Sequence, residues 1–455
     1  MQAANRALGL AALAVTALSQ PARADEAELM EKIRGLEARV QELEQERQEA
    51  PSRDAVRDAA RATASDTASD WTQHVRLSGS TDSGYFAGPR DSVFDGGSFE
   101  IWDARFFLEA ELGRDVTLGE TTLVRDVGFL FEWNLVRIGS LTNDVGELYV
   151  DFQGIADSDL VSAQVGRFQL PVGEAYLQYS QGYADRAFVT NPVGGPWWWD
   201  EGIRIYGSAL ESRVGYVASV SNGNTNFNDD ENHAKQLTLK LYADPTDWLH
   251  VSVSGLRSGK LGSSDEAASG SLWLGETWAQ PLGNWSPVPT YTNGSVVPTG
   301  PNEIDDSLFA GIDVIMRWPD AVKLWLSYGR YSMHSAGPSL YDRALQEWIA
   351  ELVVQGALVS PLLQPFYLGV RSSGIGTFDD DEGYLLDYRV SDTFGYNMKW
   401  LTELSVVAGW HMTRHVTVRA EYTRQNVGVV RGAGGATQDG VTRANLFALE
   451  VGADF

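Results

Sequence analysis

The feature that most constrains this chain is a side-chain period of two, held over unusually long segments. Trp102, Ala104, Phe106, Leu108, Ala110 and Leu112 alternate with Asp103, Arg105, Phe107, Glu109 and Glu111. Val127, Phe129, Phe131, Trp133 and Leu135 alternate with Gly128, Leu130, Glu132 and Asn134, and Leu237, Leu239 and Leu241 oppose Gln236, Thr238 and Lys240. The same pattern returns at 148–152, 249–254, 308–316, 322–328, 404–410 and 416–422. Successive side chains of a strand point to opposite faces, so each segment has one apolar and one polar side. Strands in soluble sandwiches run nearer about 5–6 residues. Alternation over about 8–12 residues instead predicts an all-β, antiparallel transmembrane barrel, whose wall meets lipid and lumen at alternate positions.

The links between these segments alternate in length. Short ones fall at Glu211-Ser212, Asp244 to Asp247, Pro319-Asp320 and Met412 to Arg414; long ones cover 169–200, 222–234, 257–307, 334–393 and 427–442. Barrels of this kind have short turns on one side and long loops on the other. The pattern gives about fourteen strands, with room for another pair in 257–307 or 339–390 that would make sixteen. Residues 339–358 carry a helical spacing and are expected to form a helix within an external loop. The last segment, Phe447, Leu449, Val451, Ala453 and Phe455, alternates to a terminal aromatic, the kind of ending that outer-membrane insertion machinery reads.

The N-terminus reads as an export signal over 1–24. Arg6 is basic, Ala7 to Leu18 is apolar and Ala22-Arg23-Ala24 is a small-residue cleavage site. The apolar run is shorter than the roughly 20 residues a spanning helix needs. Leu29, Ile33, Leu36, Val40 and Leu43 then form one helical seam, predicting a short α-helical coiled coil over 25–50 that would lie in the periplasm. Residues 51–70 have little apolar content and read as a flexible linker, so the barrel is assigned to 71–455. Sixty-one acids against 35 bases, a formal balance of −26, argue against nucleic acid as a partner. Zero cysteines exclude disulfides, thiolate metal sites and a cysteine nucleophile. No metal-binding or cofactor-binding motif is present. The 15 Trp, 17 Tyr and 17 Phe suit a membrane–water interface.

Three segments together resemble a known family. Leu148-Tyr149-Val150-Asp151-Phe152-Gln153-Gly154, Val165 through Glu174 (VGRFQLPVGE) and Asp200 through Gly207 (DEGIRIYG) are similar, in order, to the phosphate-selective porin O and P family. The resemblance implies sixteen strands, a homotrimer in the outer membrane of a Gram-negative-type bacterium, and a third loop folded into the lumen as a constriction. That loop would be Gln169 to Trp199 here. It further implies a passive channel for small hydrophilic solutes or anions such as phosphate, with outer-membrane lipid and lipopolysaccharide as surroundings.

Alternation assigns Arg76, Arg105, Glu109, Glu132, Arg204, Lys240, Asp313, Lys323, Arg419 and Glu421 to the pore lining. Arg167, Glu174, Arg186, Trp197, Trp198 and Trp199 belong to the expected constriction or its base. Alternation also turns Asp103, Glu111, Glu147 and Asp151 inward, so the wall positions carry six bases against eight acids, and around the expected constriction Arg167 and Arg186 stand against Glu174, Asp185, Asp200 and Glu201. With only six lysines in the chain, weak selectivity is expected rather than strict phosphate preference. Two other classes stay open: a barrel hydrolase using His250 with Ser252 or Ser254, and a secreted β-rich adhesin built on a sandwich. Heat-modifiable migration on a denaturing gel separates barrel from sandwich.

Overall fold

The computed structural model describes residues 74–88, 97–137, 140–175, 186–194, 199–223, 233–259, 304–318, 321–335, 343–377, 396–431 and 440–455. The expected signal, coiled coil and linker, and Trp197 and Trp198, lie outside the described residues.

Sixteen strands form one closed antiparallel barrel. They are β1 (Val75–Ala87), β2 (Ser98–Leu118), β3 (Thr121–Arg137), β4 (Ser140–Ile155), β5 (Ser162–Gln169), β6 (Trp199–Ala209), β7 (Val214–Ser221) and β8 (Gln236–Thr246). There follow β9 (Leu249–Arg257), β10 (Ile304–Trp318), β11 (Val322–Ser335), β12 (Arg343–Gln355), β13 (Phe366–Gly376), β14 (Tyr396–Thr413), β15 (Val416–Arg431) and β16 (Gly440–Asp454). Each strand pairs with its sequence neighbours, and β1 closes the wall on β16 from Ser80↔Asp454 to Ala87↔Phe447. Closure leaves no strand edge unpaired. It also rules out the two-sheet sandwich on which the adhesin alternative rested.

The wall is inverted relative to a water-soluble domain. Among the described residues 43 large apolar side chains are exposed, while buried polar side chains outnumber buried apolar ones 39 to 25. Leu237, Leu239 and Leu241 point outward at 47–49% exposure, and their neighbours Gln236, Thr238 and Lys240 are buried inside. Leaving one large apolar side chain in water forfeits about 1.5–3 kcal/mol of burial energy. A surface of this kind is stable against hydrocarbon. Stacked pairs Trp248–Trp318, at 5.6 Å, and Phe366–Trp410, at 6.0 Å, sit near the short-turn end.

Two expectations are corrected. Where a helix was expected within 339–358, Arg343–Gln355 instead forms β12, a full barrel strand. Leu345, Ile349 and Val353 recur every four residues, and a spacing of four satisfies a period of two as well as a helical stripe. This strand and β13 are the extra pair that makes sixteen. Trp102, read as outward, is inward. The register with β1 skips it, going from Asp82↔Asp103 to Ser83↔Ile101, so one bulged residue reverses the phase. Ile101 faces out at 54% exposure while Trp102 is buried at 2%.

Candidate functional site

The polar inner wall is organised around the segment that links β5 to β6. Its described parts, 170–175 and 186–194, lie against the inside of the barrel. Leu170, Val172, Phe188, Val189, Thr190 and Val193 are all buried at 0–1% exposure. The expectation of a loop turned inward from Gln169 therefore holds for these residues.

The first limb of the loop is fixed to β8 and β9. The Gly173 amide donates to Ser254 Oγ at 2.9 Å, and Lys240 Nζ donates to the Gly173 carbonyl at 3.2 Å. Glu174 pairs with Lys240 at 2.5 Å and with His250 Nε2 at 3.0 Å, and accepts from Ser252 Oγ at 2.7 Å. Burial alone would raise the Glu174 carboxyl; hydrogen bonds from His250 and Lys240 and the lysine charge outweigh it and hold the group down to about 2.

The second limb is held on β13 and β15 by side chains that reach its backbone. Arg419 Nε donates to the Arg186 carbonyl at 2.9 Å and the Tyr367 hydroxyl to the Ala187 carbonyl at 2.8 Å. Glu421 accepts from the Val189 amide at 2.5 Å and from Thr190 Oγ1 at 2.5 Å. Arg371 donates to the Thr190 carbonyl at 2.7 Å, and Ser373 Oγ accepts from the Val193 amide at 3.1 Å. A loop has no ladder to satisfy its own backbone, so these groups take that role. Apolar contacts complete the seat: Phe188 packs with Val353, Tyr367 and Val407, and Val189 with Phe86, Trp102, Leu446 and Ala448. Gly369 makes room for Phe188, since a Cβ there would stand 2.9 Å from its ring.

The buried bases of the inner wall are each matched by a carboxylate. Arg105 meets Asp103 at 2.6 Å, Arg167 meets Glu201 at 2.5 Å, and Arg186 meets Asp82 at 2.8 Å and Glu450 at 3.0 Å. Arg371 meets Glu403 at 2.9 Å and Arg419 meets Glu450 at 2.7 Å. With Lys240 on Glu174, all six buried bases among the described residues contact a carboxylate, and twelve acids are buried there. Asp313 accepts from Trp325 Nε1 at 2.9 Å, and Lys323 reaches Glu351 at 3.2 Å. Glu132, buried, lies 3.5 Å from Arg105. Arg204 bonds Gln164 at 2.5 Å and the Gln169 carbonyl at 3.0 Å, with its guanidinium over Phe168. Arg76 and Glu109 stand opposite each other on β1 and β2, both exposed. Trp199, the first residue of β6, is buried.

Sequence reading thus named several members of this seat but missed Asp82, Tyr367, Arg371, Glu403 and Glu450. Tyr367 and Arg371 lie in the stretch 334–393 taken for a loop. Asp82 and Glu450 alternate inward and were legible in principle. Among the described residues no group of three or more His, Asp or Glu side chains is arranged to hold a metal ion.

No family model matches the chain, and no curated protein does. Solved structures do. The chain is similar to the outer membrane channel DcaP of Acinetobacter baumannii, at 9% identity over 84% of this chain and 97% of that one, with a TM-score of 0.54. It is similar to the anion-selective porin from Comamonas acidovorans, at 9% identity over 84% and 99%, TM-score 0.53. It is also similar to OmpT, an outer membrane protein of Vibrio cholerae in its trimer form, at 11% identity over 84% and 99%, TM-score 0.51. At such identities the likeness is one of fold, and the fold is a porin-type barrel.

Proposed function

We propose that the chain is an outer-membrane porin, a passive water-filled channel for small hydrophilic solutes, with long links outside and short turns in the periplasm. The observation that carries this reading is the inversion of polarity across one closed wall, together with a loop seated inside the bore. Neighbours that include a porin and a channel support it. A homotrimer is supported by the trimer form of the Vibrio neighbour. The coiled coil expected over 25–50 would then hold protomers together in the periplasm, and deleting it should weaken the oligomer while leaving each barrel folded.

Phosphate or general anion selectivity is the finer reading offered by the family resemblance and by the Comamonas neighbour. The wall charge favours weak selectivity instead, leaning toward cations, because the buried arginines are matched and acids exceed bases inside. The hydrolase alternative finds less support. His250 directs its two ring nitrogens to Asp244, at 2.9 Å, and Glu174, at 3.0 Å, while Ser252 donates to Glu174. A nucleophile and its base must meet each other.

Planar-bilayer recordings test the reading. Conductance steps that rise nearly in proportion to potassium chloride are expected, with a small cation-directed reversal potential. No conductance from the folded barrel overturns it. Strong anion selectivity with phosphate block of the chloride current would favour the phosphate reading, with Arg105, Arg204 and Arg419 the first positions to neutralise.

A further inference from the structure

The outer face of β14–β16 changes character toward its long-link end. The register aligns outward residues of the three strands in rows: Trp410, Val418 and Val451, then Ala408, Ala420 and Leu449, then Val406, Tyr422 and Phe447. The next two rows are Leu404, Arg424 and Asn445, then Thr402, Asn426 and Arg443. Leu404, Val406, Trp410, Tyr422, Phe447, Leu449 and Val451 are exposed at 39–49%, which fixes this face as the outward one. Arg443 and Asn445 are exposed and Arg424 is half-buried. The Tyr422 hydroxyl turns up to Asn445 Oδ1 at 3.0 Å, marking where apolar gives way to polar.

The height of the change is that of a membrane boundary. Exposed apolar residues of β14 run from Leu404 to Met412, eight residues apart. That is roughly 27 Å along a strand, or about 20 Å in height at a tilt near 40°, close to the apolar band of such barrels. Arg424 stands level with Leu404 at the edge of this band, and Arg443 stands one row beyond it. Among the described residues neither meets a carboxylate, in a chain with a formal balance of −26. Inside the barrel, by contrast, each buried base is matched.

We propose that Arg424 and Arg443, flanked by Thr402, Asn426 and Asn445, form a lipid-facing cradle for the phosphate of an outer-leaflet lipid headgroup. The inference rests on the reading of the chain as an outer-membrane barrel with its long links outside. Guanidinium groups present paired donors that match phosphate oxygens, and the amide side chains between them add further donors. At the edge of the hydrocarbon the contact is screened less than in open water. The acyl chains of the same lipid would run down the rows of Tyr422, Phe447 and Leu449. A free anion lacks that second contact.

The test uses the full chain, folded and purified in detergent, with a bis-phosphorylated glucosamine glycolipid and its dephosphorylated form as probes in native mass spectrometry. Wild type should prefer the phosphorylated lipid by about tenfold, and R424Q/R443Q should lose that preference. Millimolar inorganic phosphate should not displace the lipid, and R330Q, at an outward arginine of β11, should bind as wild type does. Heat-modifiable migration confirms that each variant is folded. Equal preference in the double variant, displacement by free phosphate, or an equal loss in R330Q overturns the cradle. So does loss of the oligomer in R424Q/R443Q, which would make this face a contact between copies. Conductance is read separately: a conducting barrel without lipid preference sinks only the cradle, and a lipid-binding barrel without conductance sinks only the channel.

Discussion

Arg419 and Arg424 sit five residues apart on the same strand and face opposite ways. Arg419 is buried at 0% exposure, with Glu450 at 2.7 Å, Asp82 at 3.5 Å and the Arg186 carbonyl at 2.9 Å. Arg424 is half-buried on the outer face beside Leu404 and Asn445. One strand thus uses the same side chain as a fixed strut inside and, outside, as a donor that meets no carboxylate among the described residues. The difference follows from what each face packs against. The inner face meets a loop whose backbone groups need partners, whereas the outer face meets a fluid.

The largest expected effect breaks the inner member. Removing Arg419 leaves two buried carboxylates, Glu450 and Asp82, to share the Arg186 guanidinium, and strips the Arg186 carbonyl of its donor. Arg419→Leu should therefore cost about 3–5 kcal/mol, while Arg424→Gln should stay within about 0.5 kcal/mol. The urea midpoint of the heat-modifiable band measures both. R419L/E450L removes one carboxylate along with its cation and should be less damaged than R419L. Equal stability of R419L and R424Q would erase the distinction between the faces.

The second effect sharpens it through packing. Gly369 lies where a Cβ would meet Phe188 at 2.9 Å and Val407 at 2.8 Å. Gly369→Val should push Phe188 off the wall at a cost of about 1–3 kcal/mol. The readout is noisier single-channel current together with faster proteolysis within the loop. A change to the same side chain on the outer face, Ala420→Val, should leave the current unaltered.

How much of this was legible in the sequence follows from the same two faces. Alternation exposed the outer band because lipid asks only that alternate residues be apolar, and Leu237, Leu239 and Leu241 satisfy that rule without knowledge of partners. The inner seat was less legible, since it depends on which distant residues meet. Arg186 and Glu450 stand 264 positions apart and form one pair. Trp102 was misplaced because a single bulge inverts the phase of everything beyond it. β12 was misread because Leu345, Ile349 and Val353 fit two periods equally, and only pairing with β11 and β13 chooses between them.

The third prediction concerns acid. The folded Glu174 carboxyl is held to about 2, below its ordinary 4.5, so it contributes stability that is complete above about 4.5 and is lost as pH falls toward 2. The first limb should loosen in that window. Current noise in bilayers at pH 7, 4 and 3 reports it, rising only on acidification. Glu174→Gln should show the noise already at pH 7 and lose the pH dependence. Noise that rises equally in both proteins would place the acid effect elsewhere.

The smallest effect is on selectivity. Glu109 shares its face of β2 with Arg105 and Phe107 and is exposed, opposite Arg76. A charge facing the aqueous bore acts on a passing ion within a Debye length, about 10 Å at 0.1 M salt. Arg424 lies across the wall on the lipid side, where its field reaches the bore only through a sheet and beyond most of that distance. Glu109→Gln should therefore move the reversal potential in a potassium chloride gradient by a few millivolts toward anions, and more at 0.01 M salt, where the Debye length is about 30 Å. Arg424→Gln should leave it where it was at 0.1 M. If the two changes move the potential equally, charge on either face reaches the permeating ion alike, and the separation of the wall into a matched interior and a lipid-directed exterior fails at the level that matters for transport.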